Sequence, residues 1–292
     1  MNKQRRADLL LVMTTFFWGA SYYLTDICLA DLPPMTLNAF RFIVAFLVLG
    51  LIFWKHVVHI NHTTLWYSLI VGLALAGTYV AYNYGITRTS LSNAAFICAL
   101  QVIFAPLLGF LFFRQRPGWK LGAALVVCTV GMALLTLNGE LRPASGDLIC
   151  LITPLCYAVD LLITEKAVRD PRVDPLGLGV CQLAVVGIVT LALALGEPVH
   201  LPTSGRTWAA ALFLGIFCSG VAFVIQSVQQ QYTTASHVGL IFTLEPVFAS
   251  MVAFVMTGEV LSLRGYIGAA LMLLSLFIME GDWSFLGRKE RV

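Results

Sequence analysis

The sequence predicts an all-α membrane protein, with ten transmembrane helices in two inverted five-helix repeats around a central cavity. Three observations predict it. First, only 11% of the 292 residues are charged and 59% are apolar, against about 25% charged in an ordinary soluble domain. A water-soluble domain of this size cannot bury that much apolar surface, which excludes a soluble enzyme. Scarce charge also excludes a disordered chain. Second, ten apolar stretches are each long enough to cross a hydrocarbon core of about 30 Å as a helix. Third, features of the first half recur in the second at a nearly constant offset.

The ten stretches are roughly 8–28, 35–54, 65–86, 91–113, 119–138, 146–168, 176–195, 207–230, 236–257 and 262–282. Short connections rich in turn formers and charges separate them, among them Asp31 to Pro34, Arg114 to Pro117, Asp170 to Pro175 and Gly196 to Pro198. No room remains for a soluble domain. The basic start at Lys3, Arg5 and Arg6 mimics a signal peptide. The run that follows has no clear small-residue cleavage site, so it reads as a retained first helix. Lys and Arg outside the helices divide 13 to 4 between alternate faces. By the positive-inside rule the richer face, which holds both termini, is cytoplasmic. The expected location is a bacterial-type inner (plasma) membrane, crossed many times. The seven cysteines are odd in number, form no CxxC and lie mostly in apolar stretches. They read as small core residues rather than a metal site or a disulfide frame.

The recurrence is specific. Thr89 to Ala94 matches Thr233 to Val238 at an offset of 144, and Gly122 to Leu125 matches Gly268 to Leu271 at 146. Trp66 falls on Trp208, Gly77 on Gly220, Pro34 on Pro175 and Arg41 on Gln182, at offsets of 141 to 143. The halves are 1–143 and 144–292. Five spans per half is an odd number, so the second half enters the membrane from the opposite side. A pseudo-two-fold axis in the membrane plane follows, the design suited to alternating access around a central site.

These residues resemble an EamA-type carrier of the drug/metabolite transporter superfamily. Trp18, Gly19 and Ser21 resemble that family's first-helix signature. Pro34 followed by Arg41, Phe42 and Ala45 resembles its second helix. Glu245 to Ala249, Gly258-Glu259 and Gly268 to Leu271 resemble the end of its second repeat. The chain departs from the pattern at Gln115, where the first repeat often carries Glu. The resemblance implies ten helices in two inverted repeats and transport of a metabolite or amino acid, often export. It does not fix a substrate.

Polar groups in hydrocarbon need a reason. Asp160 in helix 6 and Glu245 in helix 9 are candidates for binding a substrate amine or a proton, against the plainer reading of a hydrogen bond to a neighbouring helix. Trp18, Ser21, Tyr22 and Thr25 share one face of helix 1, and Tyr157, Asp160 and Thr164 share one face of helix 6. As repeat partners these faces are expected to oppose each other and line a pocket with aromatic walls. Tyr79, Tyr82 and Asn83 in helix 3, Asn93 and Gln101 in helix 4, and Gln226 in helix 8 are candidates to gate or line the path, although for each one singly a helix–helix hydrogen bond is the favoured reading. Pro106 and Pro246 interrupt helices 4 and 9 and free the carbonyls of Val102 and Phe242; they are candidate hinges whose freed carbonyls could bind a cation or substrate amine, against the favoured reading of a simple kink for packing. Arg41 has three readings: recognition of a substrate carboxylate, snorkelling outward, or pairing with Asp26. A structural role is favoured. Glu259 reads as a helix-start anion. His56, His59 and His62 read as solvated loop residues, and His237 as a group able to titrate.

The expected function is secondary transport of a small metabolite, an amino acid or related amine-containing amphipath, by alternating access and in the export direction. There is no Walker A motif to couple ATP. The ligand is a small molecule, with protons as a candidate coupling ion and the bilayer as solvent. No cofactor, metal or nucleic acid is expected, and the chain reads as a monomer or weak homodimer. Gly122, Gly131, Gly265 and Gly268 allow close helix approach within the chain or at a dimer contact. The alternatives are a membrane-embedded enzyme (a protease or a lipid-modifying transferase) and a passive channel. Neither GxSxG nor HExxH is present to favour the enzyme.

Overall fold

The computed structural model describes residues 3–86, 88–89, 96–114, 118–137, 145–258 and 260–280. Among these residues all regular structure is helical. We number ten helices. α1 is Lys3–Leu29, α2 is Pro34–Ile52, α3 is His62–Ile86, α4 comprises 96–99 and Gln101–Phe113, and α5 is Trp119–Thr136. α6 runs in two pieces, Ser145–Cys150 and Ile152–Val168, and α7 is Pro175–Ala194. α8 begins at Gly205–Phe213, passes through a π-helical segment, Leu214–Val221, and ends at Ala222–Gln229. α9 is Ala235–Phe242 and Glu245–Thr257, and α10 is Leu263–Glu280.

Seven of these, α2, α3 and α5 to α9, are long and apolar enough to cross a membrane. Phe96–Phe112 and Leu263–Met279 are apolar but shorter. α1 has 27 residues; its charged start and its Trp18, Ser21 and Tyr22 face make it less apolar. One predicted span differs in kind from the sequence expectation: α8 is not one regular helix. α9 is interrupted near its middle, next to Pro246. Asn93, Gln115 and Glu259 lie outside the described residues.

Local chemistry sets the helix starts. Pro34 and Pro175, equivalent in the repeat, both sit in the first turn of their helices, where a missing amide costs nothing. Asp174 caps α7 by accepting from the Leu176 amide at 3.1 Å. Ser204 caps α8 through the Thr207 amide at 3.1 Å. Arg172 bonds back to Asp170 at 3.0 and 2.7 Å, and these bonds hold the Asp170 carboxyl down to about 2. The α6–α7 connection therefore keeps its charge pair throughout the physiological range. His56 lies 2.6 Å from Asp174, so the α2–α3 and α6–α7 connections are tied together; this histidine has an acidic neighbour that its own loop does not supply.

The packing obeys the two-fold relation. α1 lies on α8 and α9; its partner α6 lies on α3 and α4. α2 packs on α7 and α8; its partner α7 packs on α2 and α3. α5 packs on its own partner, α10. The correspondence extends to atoms. A Cβ added to Gly72 of α3 would meet the Gln182 carbonyl and Val185 of α7. One added to Gly215 of α8 would meet the Arg41 carbonyl and Val44 of α2, the equivalent positions. α4 and α9 also end alike, with Arg114 and Gly258 both left-handed at φ 53° and 73°. Glycine takes that conformation without a steric penalty.

α5 and α10 meet where Gly131 faces Gly268. A Cβ on Gly131 would sit 2.7 Å from the Gly268 oxygen, and one on Gly268 would sit 2.5 Å from the Gly131 oxygen. This pair serves the chain's own packing. Gly122 has open space around it. Gly131→Leu is therefore expected to destabilise the purified protein by about 1–3 kcal/mol, the usual cost of overpacking. Gly122→Leu should leave its thermal midpoint unchanged. Equal midpoints for the two variants in detergent would contradict this account of the α5–α10 contact.

Candidate functional site

The faces of α1 and α6 meet as their sequence periodicity predicts. The Trp18 and Tyr157 rings lie 6.1 Å apart, edge to face. Phe223 of α8 and Phe242 of α9 join them, with centroids 5.3 and 4.6 Å from Trp18. Phe42 of α2 and Tyr79 of α3 extend the cluster, 4.8 Å apart. Trp18 donates its indole N–H to the Cys218 carbonyl at 2.9 Å. Cys218 belongs to the π-helical segment of α8. Widening a helix to this pitch offsets its carbonyls from the regular ladder, and here one of them holds the tryptophan.

Below this aromatic layer, toward the face that holds Lys3, lies a buried polar relay. The Tyr157 hydroxyl donates to Gln226 Oε1 at 3.0 Å, and Gln226 Nε2 donates to Asp160 Oδ2 at 3.0 Å. Asp160 is fully buried and its other oxygen has no partner. Gln226 thus links α6 and α8 by helix–helix hydrogen bonds, the favoured sequence reading for this residue. Thr164, one turn further along α6, also has an unpartnered buried hydroxyl.

Above the layer the side chains are both enclosed and reachable. Tyr22 is 44% accessible although protein surrounds it. Tyr79, Tyr82 and Glu245 are likewise partly accessible yet enclosed. These partly accessible groups are candidates for the lining of a chamber between the helices. Tyr22 and Glu245 interact through their side chains. Tyr79 lies within electrostatic reach of Arg41, Glu245 and Asp160. Gln101 is partly accessible. Two expected residues are committed elsewhere: Ser21 donates to the Trp18 carbonyl at 2.7 Å, and Asn83 contacts the Met35 sulfur at 3.8 Å.

The hinges need a correction. α9 breaks at Thr243 and Leu244, just ahead of Pro246, as a proline in its first turn allows. α4 breaks at Leu100, six residues before Pro106, and Pro106 sits inside the continuing helix. Leu100 and Leu244 are equivalent in the repeat and have nearly the same backbone angles, φ/ψ of −63°/−6° and −70°/−9°. The break therefore belongs to the fold, and proline marks it in one copy only. It places Gln101 and Glu245 at the first position of the second helical pieces.

At the face that holds Lys3, polar contacts join the helices beside a cavity lined by Lys120, Glu165, Arg169, Thr234 and Ser236. His237 Nε2 lies 3.3 Å from Asp8 Oδ1, joining α9 to α1. Glu165 accepts from the Ala235 amide at 2.7 Å, joining α6 to α9. Gln230 donates to the Leu161 carbonyl at 2.5 Å, joining the end of α8 to α6. Sequence reading missed Phe42, Phe223, Phe242 and Ser219. A phenylalanine among apolar residues carries no contrast, and no local pattern marked the π-helical segment.

The EamA-like transporter family matches this chain twice, over residues 5–137 and 144–280. An uncharacterized transporter of Archaeoglobus fulgidus is 24% identical, over 95% of this chain and 87% of its own. Another, of Methanothermobacter thermautotrophicus, is 26% identical over 92% and 84%. Protein PecM of Dickeya dadantii is 25% identical over 94% and 92%. A crystal structure of a protein 18% identical to this chain superposes with a TM-score of 0.78, covering 94% of this chain and 96% of that one. It shares the fold.

Accessibility gives a direct test of the chamber. In a background without native cysteines, Tyr22→Cys is expected to react with a membrane-impermeant thiol reagent applied to the face opposite the termini. Thr164→Cys, fully buried in the structure, should stay unlabelled. Equal labelling of the two would mean that the aromatic layer does not separate a wet chamber from a sealed half.

Proposed function

Because the chain belongs to the EamA-like transporter family, we propose that it carries a small amine-bearing metabolite, an amino acid or a related amphipath, by alternating access. The chamber bounded by Trp18, Tyr22, Tyr79, Tyr157 and Glu245 is the solute site. The observation that carries this reading is an enclosed yet accessible carboxylate, Glu245, above a layer of aromatic rings. A carboxylate in such surroundings attracts an ammonium group, and aromatic faces attract both cations and apolar side chains.

The two halves supply the motion. We read the contacts of Asp8, Glu165 and Gln230, which tie helices together at the face that holds Lys3, as its closure, and the residues assigned to the chamber lie on the other side of the aromatic layer. Exchanging the roles of the two halves about the pseudo-two-fold axis would open the closed face and seal the open one. The charge imbalance of the loops makes the closed face cytoplasmic, in an inner membrane. We favour export as the direction, on the family likeness. Asp160, with one unpartnered oxygen beneath the chamber, is the group we assign to carry a coupling proton.

Counterflow in proteoliposomes tests the reading. Vesicles loaded with an unlabelled amino acid should accumulate the labelled one, and the solute should be recovered unchanged. A passive channel gives no accumulation, and an enzyme alters the solute. Asp160→Asn, reconstituted at matched protein level, is expected to lower net flux at least about tenfold, the effect of about 1.4 kcal/mol. Wild-type flux in that variant would remove Asp160 from the mechanism.

A further inference from the structure

Arg41 is the charged group that neither the relay nor the closed face uses. It sits two turns into α2 and is 5% exposed, so it does not snorkel. Among the described residues no carboxylate lies within 4 Å of it, and Asp26 is not its partner. Its Nε donates to the Ser219 hydroxyl at 2.7 Å. Its guanidinium lies 5.4 Å from the Tyr79 ring centroid and 5.5 Å from that of Phe42. The terminal N–H groups make no hydrogen bond to the described residues. A guanidinium keeps its charge at any pH a cell meets. Burying that charge without an anion is expensive, and aromatic faces offset only part of the cost.

Packing does not require the charge. The equivalent position in the second half is Gln182, 1% exposed, whose amide donates to Ser227 of α8 at 3.1 Å. A neutral amide therefore occupies the equivalent helix position in the second half, bonded to a serine at a different place on α8. Arg41 adds a fixed positive charge in one half only. The Ser219 bond and the rings of Phe42 and Tyr79 hold the guanidinium by one edge, and leave its fork for a ligand. Tyr79 lines the chamber, and Arg41 and Glu245 act on each other electrostatically.

We propose that Arg41 is a carboxylate-binding residue of the chamber, and that the transported solute bears a free carboxylate. The planar fork of a guanidinium matches a carboxylate through two parallel hydrogen bonds. This rests on the chamber being the solute site. It sharpens that reading from an amine-bearing solute to a zwitterion, with its ammonium toward Glu245 and its carboxylate toward Arg41. The anion then arrives with the substrate, and occupancy neutralises a cation that the empty protein leaves unpaired.

The twenty common L-amino acids are screened against the purified wild-type protein by thermal shift, and each stabilising acid is compared with its carboxamide. The amide keeps the shape and the ammonium but removes the negative charge. Wild type is expected to prefer the acid at least about tenfold in Kd. Arg41→Gln, which puts the residue type of the equivalent position 182 in place of the charge, should bind acid and amide alike while keeping its unliganded melting midpoint. Arg41→Lys keeps the charge without the fork and should restore part of the preference. A wild-type protein that binds the amide as tightly as the acid overturns the proposal, and does so even if Arg41→Gln fails to fold. So does an Arg41→Gln variant that retains the full preference. A wild-type protein stabilised by no amino acid overturns the amino-acid reading of the chamber, and this proposal with it.

Discussion

Helices in lipid gain nothing from hiding apolar surface from one another, so they must hold together by contact alone. In this chain that contact is made where a glycine lets one helix touch the backbone of the next. Gly19 of α1 lies against Phe248 and Ala249 of α9; Gly72 of α3 lies against the Gln182 carbonyl; Gly215 of α8 lies against the Arg41 carbonyl. Each would place a Cβ within 3.0 Å of its neighbour. Because two of these contacts are copies of each other, they fix the relation between the halves. The position of every polar side chain in the interior follows from that relation.

The interior is layered by polarity. A relay of tyrosine, glutamine and aspartate lies on one side of the aromatic layer, and Tyr22, Glu245 and the accessible part of the chamber lie on the other. Trp18 joins the layer to the π-helical segment of α8, whose next residue, Ser219, holds Arg41. One irregular turn thus orients both the central ring and the unpaired cation. A regular helix would present different carbonyl and side-chain directions at these positions. The same segment carries Gly215, so close packing against α2 and the placement of Arg41 are consequences of one local structure.

The repeat is near symmetric, and its departures from symmetry are chemical. Gln101 and Glu245 occupy equivalent breaks, one neutral and one acidic. Arg41 and Gln182 occupy equivalent positions on α2 and α7, one charged and one neutral. The scaffold is therefore built from matched parts, whereas the charges that face the chamber come from unmatched substitutions within it. A solute bound there meets an asymmetric field inside a two-fold frame.

Much of this was legible in the order of residues. Scarce charge and long apolar runs determine a lipid-embedded helical protein, because no other solvent tolerates them. The offset recurrences, Pro34 on Pro175 and Gly77 on Gly220, determine an inverted pair, because five crossings reverse direction. The shared faces of Trp18 with Tyr22 and of Tyr157 with Asp160 follow from helical period. Tertiary structure alone decided the rest. Ser21 turns to its own backbone, Gln226 joins Tyr157 to Asp160, and the break in α4 falls at Leu100 and not at Pro106. It also decided that Arg41 would have no carboxylate within 4 Å among the described residues and that Phe223 and Phe242 would pack on Trp18. The reason is physical: period and composition say which face of a helix is turned inward, but a hydrogen bond or a ring contact depends on which other helix stands opposite and at what height. That height is set by backbone contacts between residues far apart in the chain.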